Sequence, residues 1–329
     1  MRVLVTGASG LLGGAVAAEL IARGHEVRTF QRRASGVEGA QDARGSLTDR
    51  DDVRTATAGV HAVVHLAARV SLAGDPAEFD RVNVQGTALL LEEARRAGVE
   101  RFVNVSSPSV AHAGTSIVGD DALPADPAAA RGDYARTKAS AELLALGADR
   151  DGFAVVAVRP HLVWGPGDTQ LVERIVDRSR SGRLPLLAHG TALIDSLFVD
   201  NAATGIAQAL ERAEAVHGNA YVLTNGEPRP VAELLAGICR AAGVREPVRS
   251  VPAGLATTLG SVVEAVWRLR PGVDEPPMTR FLAEQLSTAH WFDQRRTRRD
   301  LDWVPAVSLE EGFARLAAWY GARSGILRS

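Results

Sequence analysis

The stretch Thr6-Gly7-Ala8-Ser9-Gly10-Leu11-Leu12-Gly13 constrains the fold more than any other part of this chain. It stands between an apolar run, Arg2 to Thr6, that reads as a buried strand, and a helical pattern, Leu11 to Arg23, that Gly24 ends. Its glycines are spaced G-x-x-G-x-x-G. In a strand-turn-helix setting Gly7 allows the tight turn, Gly10 lets the backbone approach a pyrophosphate, and Gly13 lets the helix pack on the sheet. The start of the helix then offers N–H donors and the positive end of its dipole to an anion. Gly7, Ser9, Gly10, Leu11, Leu12 and Gly13 are therefore expected to cradle a dinucleotide.

The segments that follow keep the same alternation. Val-rich runs at Glu26–Phe30, Ala62–Leu66, Phe102–Ser106 and Val155–Val158 are separated by helical patterns at Asp49–Thr57, Pro76–Ala97 and Tyr134–Ala148. Such alternation implies an α/β fold, a Rossmann-type doubly wound parallel sheet covered on both faces. Beyond Gly165-Pro166-Gly167-Asp168 the pattern breaks into short elements and frequent prolines. Residues 1–165 are thus expected to bind the dinucleotide. Residues 166–329 are expected to form mainly a smaller substrate-binding lobe, with some segments returning to the first domain.

Composition narrows the function classes. The 329 residues carry a formal net charge of −2, with no basic excess of the kind nucleic acid requires. The one cysteine, Cys239, lies in an apolar run, so neither a disulfide framework nor a thiolate metal site is expected. His25, His61, His189 and His217 lack metal-ligand spacing, and no metal is expected. The first functional motif begins at Thr6, leaving no room for a signal peptide, and the protein is expected to be soluble and cytoplasmic. Ala253–Leu269 is mildly apolar at helical offsets. Packing on the small lobe is one reading of it; a tunnel lid or a peripheral membrane contact is the other.

Of the 37 lysines and arginines, Lys138 alone is lysine. Arginine is permanently charged, planar and bulky, whereas lysine is a compact ammonium whose pKa moves with its surroundings. A position that keeps lysine in so arginine-rich a chain is one where arginine cannot serve. Tyr134 lies four residues before it, on the same helix face. A cation there is expected to lower the tyrosine pKa and make the pair a general acid/base unit. The second strand ends at Gln31-Arg32-Arg33, where an NAD enzyme would place a carboxylate for the ribose 2′-OH. Two guanidiniums and no acidic residue favour NADP(H) and leave NAD(H) as the alternative.

Together these pieces resemble the extended short-chain dehydrogenase/reductases over nearly the whole chain. The matching motifs are Thr6 to Gly13, His65-Leu66-Ala67-Ala68, Asn83-Val84-Gln85-Gly86-Thr87, Ser106-Ser107, Tyr134 to Lys138, Arg159-Pro160, Phe198 to Ala202, and Asp302-Trp303-Val304-Pro305. The resemblance implies that Tyr134 exchanges the proton at the carbonyl or carbinol oxygen and that Lys138 binds the nicotinamide ribose. Ser107 would hydrogen-bond the same oxygen, chosen over Ser106 because the family's serine precedes a valine by three residues, here Val110. Gln31 and Arg32 would meet the adenosine ribose, Leu66, Ala67 and Ala68 would run along the adenosine, and Pro160 to Val163 would border the nicotinamide. Asn83 would fix helix and loop geometry near the cofactor. Ser46 and Leu47 stand where the family commonly reads Asp-Leu, so recognition of the adenine amino group would lack its charge.

The substrate side is similar to the 3β-hydroxysteroid dehydrogenase-like branch, on Ser107 to His112, Arg159 to Asp168, Asn225 to Pro228, Met278 to Leu282 and His290-Trp291. Within it the likeness is greatest to bacterial reductases of 2-alkyl-3-oxoalkanoic acids in long-chain olefin biosynthesis. The resemblance implies a hydrophobic substrate, a long-chain β-keto acid or a sterol-like molecule, with Ser109, His112, His161 and Trp164 candidates to contact it. It also implies a homodimer through the Pro76–Ala97 and Tyr134–Ala148 helices, and association with other enzymes of that pathway. The alternatives are an NAD-dependent 3β-hydroxysteroid dehydrogenase, a nucleotide-sugar epimerase, and a cofactor-sensing protein without catalysis.

Overall fold

The computed structural model describes residues 1–71, 74–111, 114–252, 254, 258 and 287–326. His112, Met278 to Leu282 and nearly all of Ala253–Leu269 therefore lie outside the described residues. In chain order the elements are β1 (Arg2–Thr6), α1 (Leu11–Ala22), β2 (Glu26–Gln31), β3 (Gln41–Arg44), α2 (Arg50–Thr57), β4 (Ala62–His65), α3 (Pro76–Phe79), α4 (Gly86–Arg96), β5 (Arg101–Val105), β6 (Ile117–Asp120), α5 (Gly132–Gly147), β7 (Ala154–Pro160), β8 (Val163–Trp164), α6 (Val172–Arg180), β9 (Leu186–Leu187), β10 (Leu193–Ile194), β11 (Leu197–Phe198), α7 (Val199–Glu211), α8 (Ala213–Val216), β12 (Ala220–Leu223), β13 (Arg229–Pro230), α9 (Val231–Ala241), β14 (Ser250–Val251), β15 (His290–Phe292), α10 (Arg295–Leu301) and α11 (Leu309–Ile326).

Seven parallel strands form the main sheet in the order β12-β7-β5-β4-β1-β2-β3. Strand side chains alternate between the faces. Val3 and Val5 of β1 therefore enter one core with Val16, Ala17 and Leu20 of α1 and Ile206 and Leu210 of α7. Leu4 enters the other, with Val53 of α2, Leu90 of α4 and Ala145 of α5. Burial on both faces is why these strands read as continuous apolar runs. The chain winds from β1 to β3 in one direction and resumes at β4 on the other side of β1, so β1 and β4 flank the crevice where such sheets bind ligands.

After Gly165 the chain does not leave this sheet for good. α7 covers it beside α1 and β12 forms its edge next to β7. A second core gathers Trp164, Ile175, Phe198, Leu234, Ile238, Leu309 and Leu316. A four-stranded sheet, β13-β10-β15-β6, joins the chain's middle to its later part. Among the described residues no helix is long and apolar enough to cross a membrane.

The long helix expected from Pro76 to Ala97 is interrupted. Asp80–Gln85 is π-helical, between α3 and α4. A widened turn of this kind re-aims side chains and often lies at a functional site. Here it carries Asn83 and Asp80, both of which engage α5.

Candidate active site

The glycine loop hangs between the first two strands, with the Gly7 N–H donating to the Phe30 carbonyl at 3.0 Å. Gly7 has φ +78°, and a Cβ there would lie 2.9 Å from the Ala67 backbone. A Cβ on Gly13 would collide with the Gly7 carbonyl oxygen. Neither position admits a side chain, so loop, helix and the end of β4 are held at backbone contact. Gly10 precedes the helix and supplies no side-chain cap, and no acidic residue stands in the first turn. The first-turn N–H groups of Leu11, Leu12 and Gly13 are thus left open to an anion. Ser9 and Gly10 are exposed, and a cleft of about 620 Å³ flanks the loop, reaching Ser35 to Glu38, Pro166 and Arg315. The backbone at this site fits a dinucleotide pyrophosphate.

A hydrogen-bonded chain links this loop to α5. Thr6 Oγ1 accepts from the Leu66 and Ala67 N–H groups at 3.1 and 3.0 Å, so its own proton goes to His65 Nδ1 at 2.8 Å. His65 then donates from Nε2 to Thr87 Oγ1 at 2.9 Å, and Thr87 donates to the Asn83 carbonyl at 2.6 Å. Burial, with the Lys138 charge second, pushes the His65 pKa down to about 3, so the ring stays neutral as this tautomer requires. Asn83 Nδ2 donates to Thr137 Oγ1 at 3.0 Å, while its Oδ1 accepts the Arg69 N–H at 2.7 Å. A two-bond pair between Arg136 and Asp80, at 3.0 and 2.7 Å, also ties α5 to the π-helical turn.

On α5, Tyr134, Lys138 and Glu142 follow one another at four-residue spacing along one face. Of the two serines after β5, Ser107 is the one whose hydroxyl acts on the Tyr134 phenol, favouring its ionisation. Ser107 Oγ also lies 2.9 Å from Ser109 Oγ and accepts the Ser109 N–H at 3.3 Å, in the 3₁₀ turn Pro108–Ala111. Ser106 instead has its hydroxyl buried without a partner among the described residues. It is thus Ser107 that the structure brings to the tyrosine. Lys138 is 4% exposed and donates to the Val105 carbonyl at 2.5 Å.

The expected electrostatics of this pair need correction. Lys138 was expected to draw the Tyr134 pKa down; burial instead pushes the phenol up to about 12, with the Ser107 bond acting the other way. Desolvation outweighs a charge whose ammonium is directed at a backbone carbonyl. Burial also pushes the Lys138 pKa down to about 8, opposed by the Glu142 carboxylate. Glu142 in turn pairs with Arg159, at 1% and 2% exposure, through Nε–Oε2 at 2.9 Å and a second bond from Nη2. Arg159 also donates to the Leu123 carbonyl at 2.7 Å. Glu142 was not foreseen, although its i+4 spacing from Lys138 is visible in the sequence.

The other expected residues fall at several depths. Leu66, Ala67 and Ala68 are partly exposed just beyond β4, beside Gly7. Pro160 ends β7, and the next loop holds Leu162 at φ +45°, a left-handed conformation that costs a leucine roughly 1–3 kcal/mol. Val163 is half-buried. His161 is buried, edge-on to the Phe292 ring at 5.2 Å and near His290 at 6.1 Å. Trp164 was expected at the substrate. It is instead fully enclosed in the second core, stacked on Phe313 at 4.9 Å with its indole N–H on Ser196 Oγ at 3.0 Å. An apolar ring with one satisfied donor is well placed in a dry core.

At the adenosine end, Gln31 is buried while Arg32 and Arg33 are exposed and make no ion pair with any described residue. The expectation that no carboxylate stands there is corrected: parallel pairing of β2 with β3 sets Asp42 opposite Thr29. Its carboxylate accepts from Thr29 Oγ1 at 2.6 Å, Gln31 Nε2 at 3.1 Å and the Ser35 N–H at 3.2 Å. Similarly, Asp52 of α2 reaches the Ser46 N–H at 2.9 Å, at the loop whose own acidic residue is missing. Leu47 packs beneath Gly86.

A doubly wound parallel sheet with a glycine loop at its switch point, a Tyr-Lys pair on α5 and a serine after β5 defines a dinucleotide-dependent oxidoreductase fold. The chain belongs to the NAD dependent epimerase/dehydratase family, whose model matches residues 3–224, and so to the extended short-chain dehydrogenase/reductases. It is 41% identical over 328 residues to the 2-alkyl-3-oxoalkanoate reductase of Stenotrophomonas maltophilia (strain K279a), covering 97% of this chain and 99% of that one. It is 31% identical over 336 residues to a 3-beta-hydroxysteroid dehydrogenase of Mycolicibacterium neoaurum, covering 97% of this chain and 91% of that one. The solved structure of MoeE5 in complex with UDP-glucose and NAD superposes with a TM-score of 0.75 at 25% identity, covering 98% and 99% of the two chains.

Proposed function

We propose that this protein reduces the ketone of a 2-alkyl-3-oxoalkanoic acid to the secondary alcohol, with NADP(H) preferred and NAD(H) accepted. The observation that carries the reading is the half-buried Tyr134, with the Ser107 hydroxyl acting on its phenol and Lys138 one helical turn along. A tyrosine hydroxyl is protonated at neutral pH and can give its proton in a reduction. The nicotinamide cofactor, when bound, supplies the hydride to the carbonyl carbon. Tyr134 gives its proton to the carbonyl oxygen, Ser107 holds that oxygen by a hydrogen bond, and Lys138 contributes positive charge and a ribose contact. The fit of the whole chain to the Stenotrophomonas relative supports the β-keto acid. The two exposed arginines after β2 support NADP(H). Leu143 and Leu144 are 46% and 41% exposed on α5 and support a homodimer through that helix and α4.

The test is NADPH oxidation with a synthetic 2-alkyl-3-oxoalkanoic acid, run beside NAD⁺ reduction with a 3β-hydroxysteroid. Turnover of the first and not the second is expected. Steroid oxidation alone would overturn the substrate assignment.

A further inference from the structure

The turn after Ser107 is tightly held. The Pro108 ring locks its own φ, the Val110 N–H donates to the Ser107 carbonyl at 3.2 Å, and the Val110 carbonyl accepts the Asp126 N–H at 2.9 Å. This turn sets Ser107 and Ser109 side by side, with their hydroxyl oxygens 2.9 Å apart and the Ser109 N–H on Ser107 Oγ at 3.3 Å. Ser109 is buried, whereas Ser107 is half-buried. Among the described residues Ser107 is the one partner of the Ser109 hydroxyl. A hydroxyl has one proton to give and two lone pairs that accept. The Ser109 N–H fills one lone pair of Ser107 Oγ. The contact between the two hydroxyls can run either way, and its direction decides what Ser107 can do. With Ser107 as donor, its only proton is spent on Ser109 and none is left for a substrate oxygen. With Ser109 as donor, both lone pairs of Ser107 are filled by a single residue and its proton stays free for the site. The second direction agrees with the effect of Ser107 on the Tyr134 phenol, which is to favour the ionised form, as a donor does.

We infer that Ser109 is a positioning residue for the reduction: its N–H and O–H groups together saturate the acceptor side of Ser107 Oγ, so that the Ser107 proton is aimed at the oxygen that receives the Tyr134 proton. Ser109 thus acts through Ser107 and not by touching the substrate. This rests on the ketone-reduction reading above. As hydride reaches the carbonyl carbon, negative charge gathers on the oxygen, Tyr134 gives it a proton, and Ser107 keeps its own. A donor already turned toward that oxygen needs no reorientation as the charge develops.

The experiment is a double-variant cycle of Ser107→Ala, Ser109→Ala and the two together, with Ser109→Thr as the variant that keeps both donors. kcat and KM are measured by NADPH oxidation with a 2-alkyl-3-oxoalkanoic acid, and thermal melts confirm folding. Ser109→Ala is expected to lower kcat roughly three- to tenfold, the worth of one hydrogen bond, and to leave KM in place. Ser109→Thr is expected to recover most of that loss. In the Ser107→Ala background, Ser109→Ala should cost little more, because the two residues act as one unit. Fully additive losses in the double variant, or a raised KM with kcat unchanged in Ser109→Ala, would overturn the inference and make Ser109 a substrate contact in its own right. Equal losses in Ser109→Thr and Ser109→Ala, with both folded, would also overturn it. A Ser107→Ala enzyme with wild-type kcat would instead remove the reading on which the inference rests.

Discussion

Glu142→Gln tests whether the buried pair behind the catalytic helix holds Lys138 in its working state. Glu142 and Arg159 are 1% and 2% exposed, so the substitution leaves a guanidinium in a dry interior facing a neutral amide. Removing one partner of such a pair typically costs about 3–5 kcal/mol, because the remaining charge is uncompensated. Unfolding entropy is about 2.1 cal/mol/K per residue, or roughly 0.7 kcal/mol/K over this chain, so Tm should fall by about 4–7 °C. The second consequence is electrostatic. Burial alone drives the Lys138 pKa down, and Glu142 is the group that opposes this. Lysine is charged below its pKa, so the ammonium is lost as pH rises through about 8 in the native enzyme. Without Glu142 that loss should begin at lower pH. Scanning calorimetry and the pH dependence of kcat/KM measure the two effects separately. Glu142→Leu combined with Arg159→Met should recover much of the Tm, since well-packed apolar pairs replace buried ion pairs at little cost. It should not restore the alkaline limb. A limb that stays in place in both variants would refute the electrostatic role and leave Glu142 a purely structural residue.

Three other outcomes follow from the site. Tyr134→Phe should bind NADPH nearly as wild type in titration yet lose turnover by roughly 10²–10⁴-fold, the range for general acid catalysis; a variant that keeps most of its rate would exclude Tyr134 as the proton donor. Lys138→Arg retains charge but places a larger, forked cation where Nζ meets the Val105 carbonyl, and steady-state assays should find it inactive. Arg32→Ala should weaken NADPH by roughly ten- to hundred-fold, a charge-assisted contact of ~1.5–3 kcal/mol, with little change for NADH; equal losses for both cofactors would mean that Arg32 does not read the 2′-phosphate.

The two carboxylates at the adenosine end explain which parts of the site were legible in the sequence and which were not. The glycine loop, the Tyr134–Lys138 pair and the alternating elements are local patterns, whose spacing alone sets which backbone turns and which side chains share a face. Residues that meet through strand pairing carry no such mark. Gln31 and Asp42 are eleven positions apart, and only the parallel register of β2 and β3 sets Asp42 opposite Thr29 and within reach of the Gln31 amide. Gly45-Ser46 lacks the family's acidic residue, yet the first turn of α2 brings Asp52 to the Ser46 N–H. Trp164 failed for the opposite reason: its place after β7 marks the sheet edge, but burial depends on α11, whose Phe313 stacks on it from far along the chain. The tyrosine pKa failed because charge proximity was weighed without dehydration. Lys138 is near in sequence, but it is buried and held by the Val105 carbonyl, and for the half-buried phenol the loss of water is the larger effect. The spacing of Tyr134 and Lys138 is thus local and legible, whereas the balance of dehydration and charge at the phenol is set by how deeply the tertiary fold places each side chain.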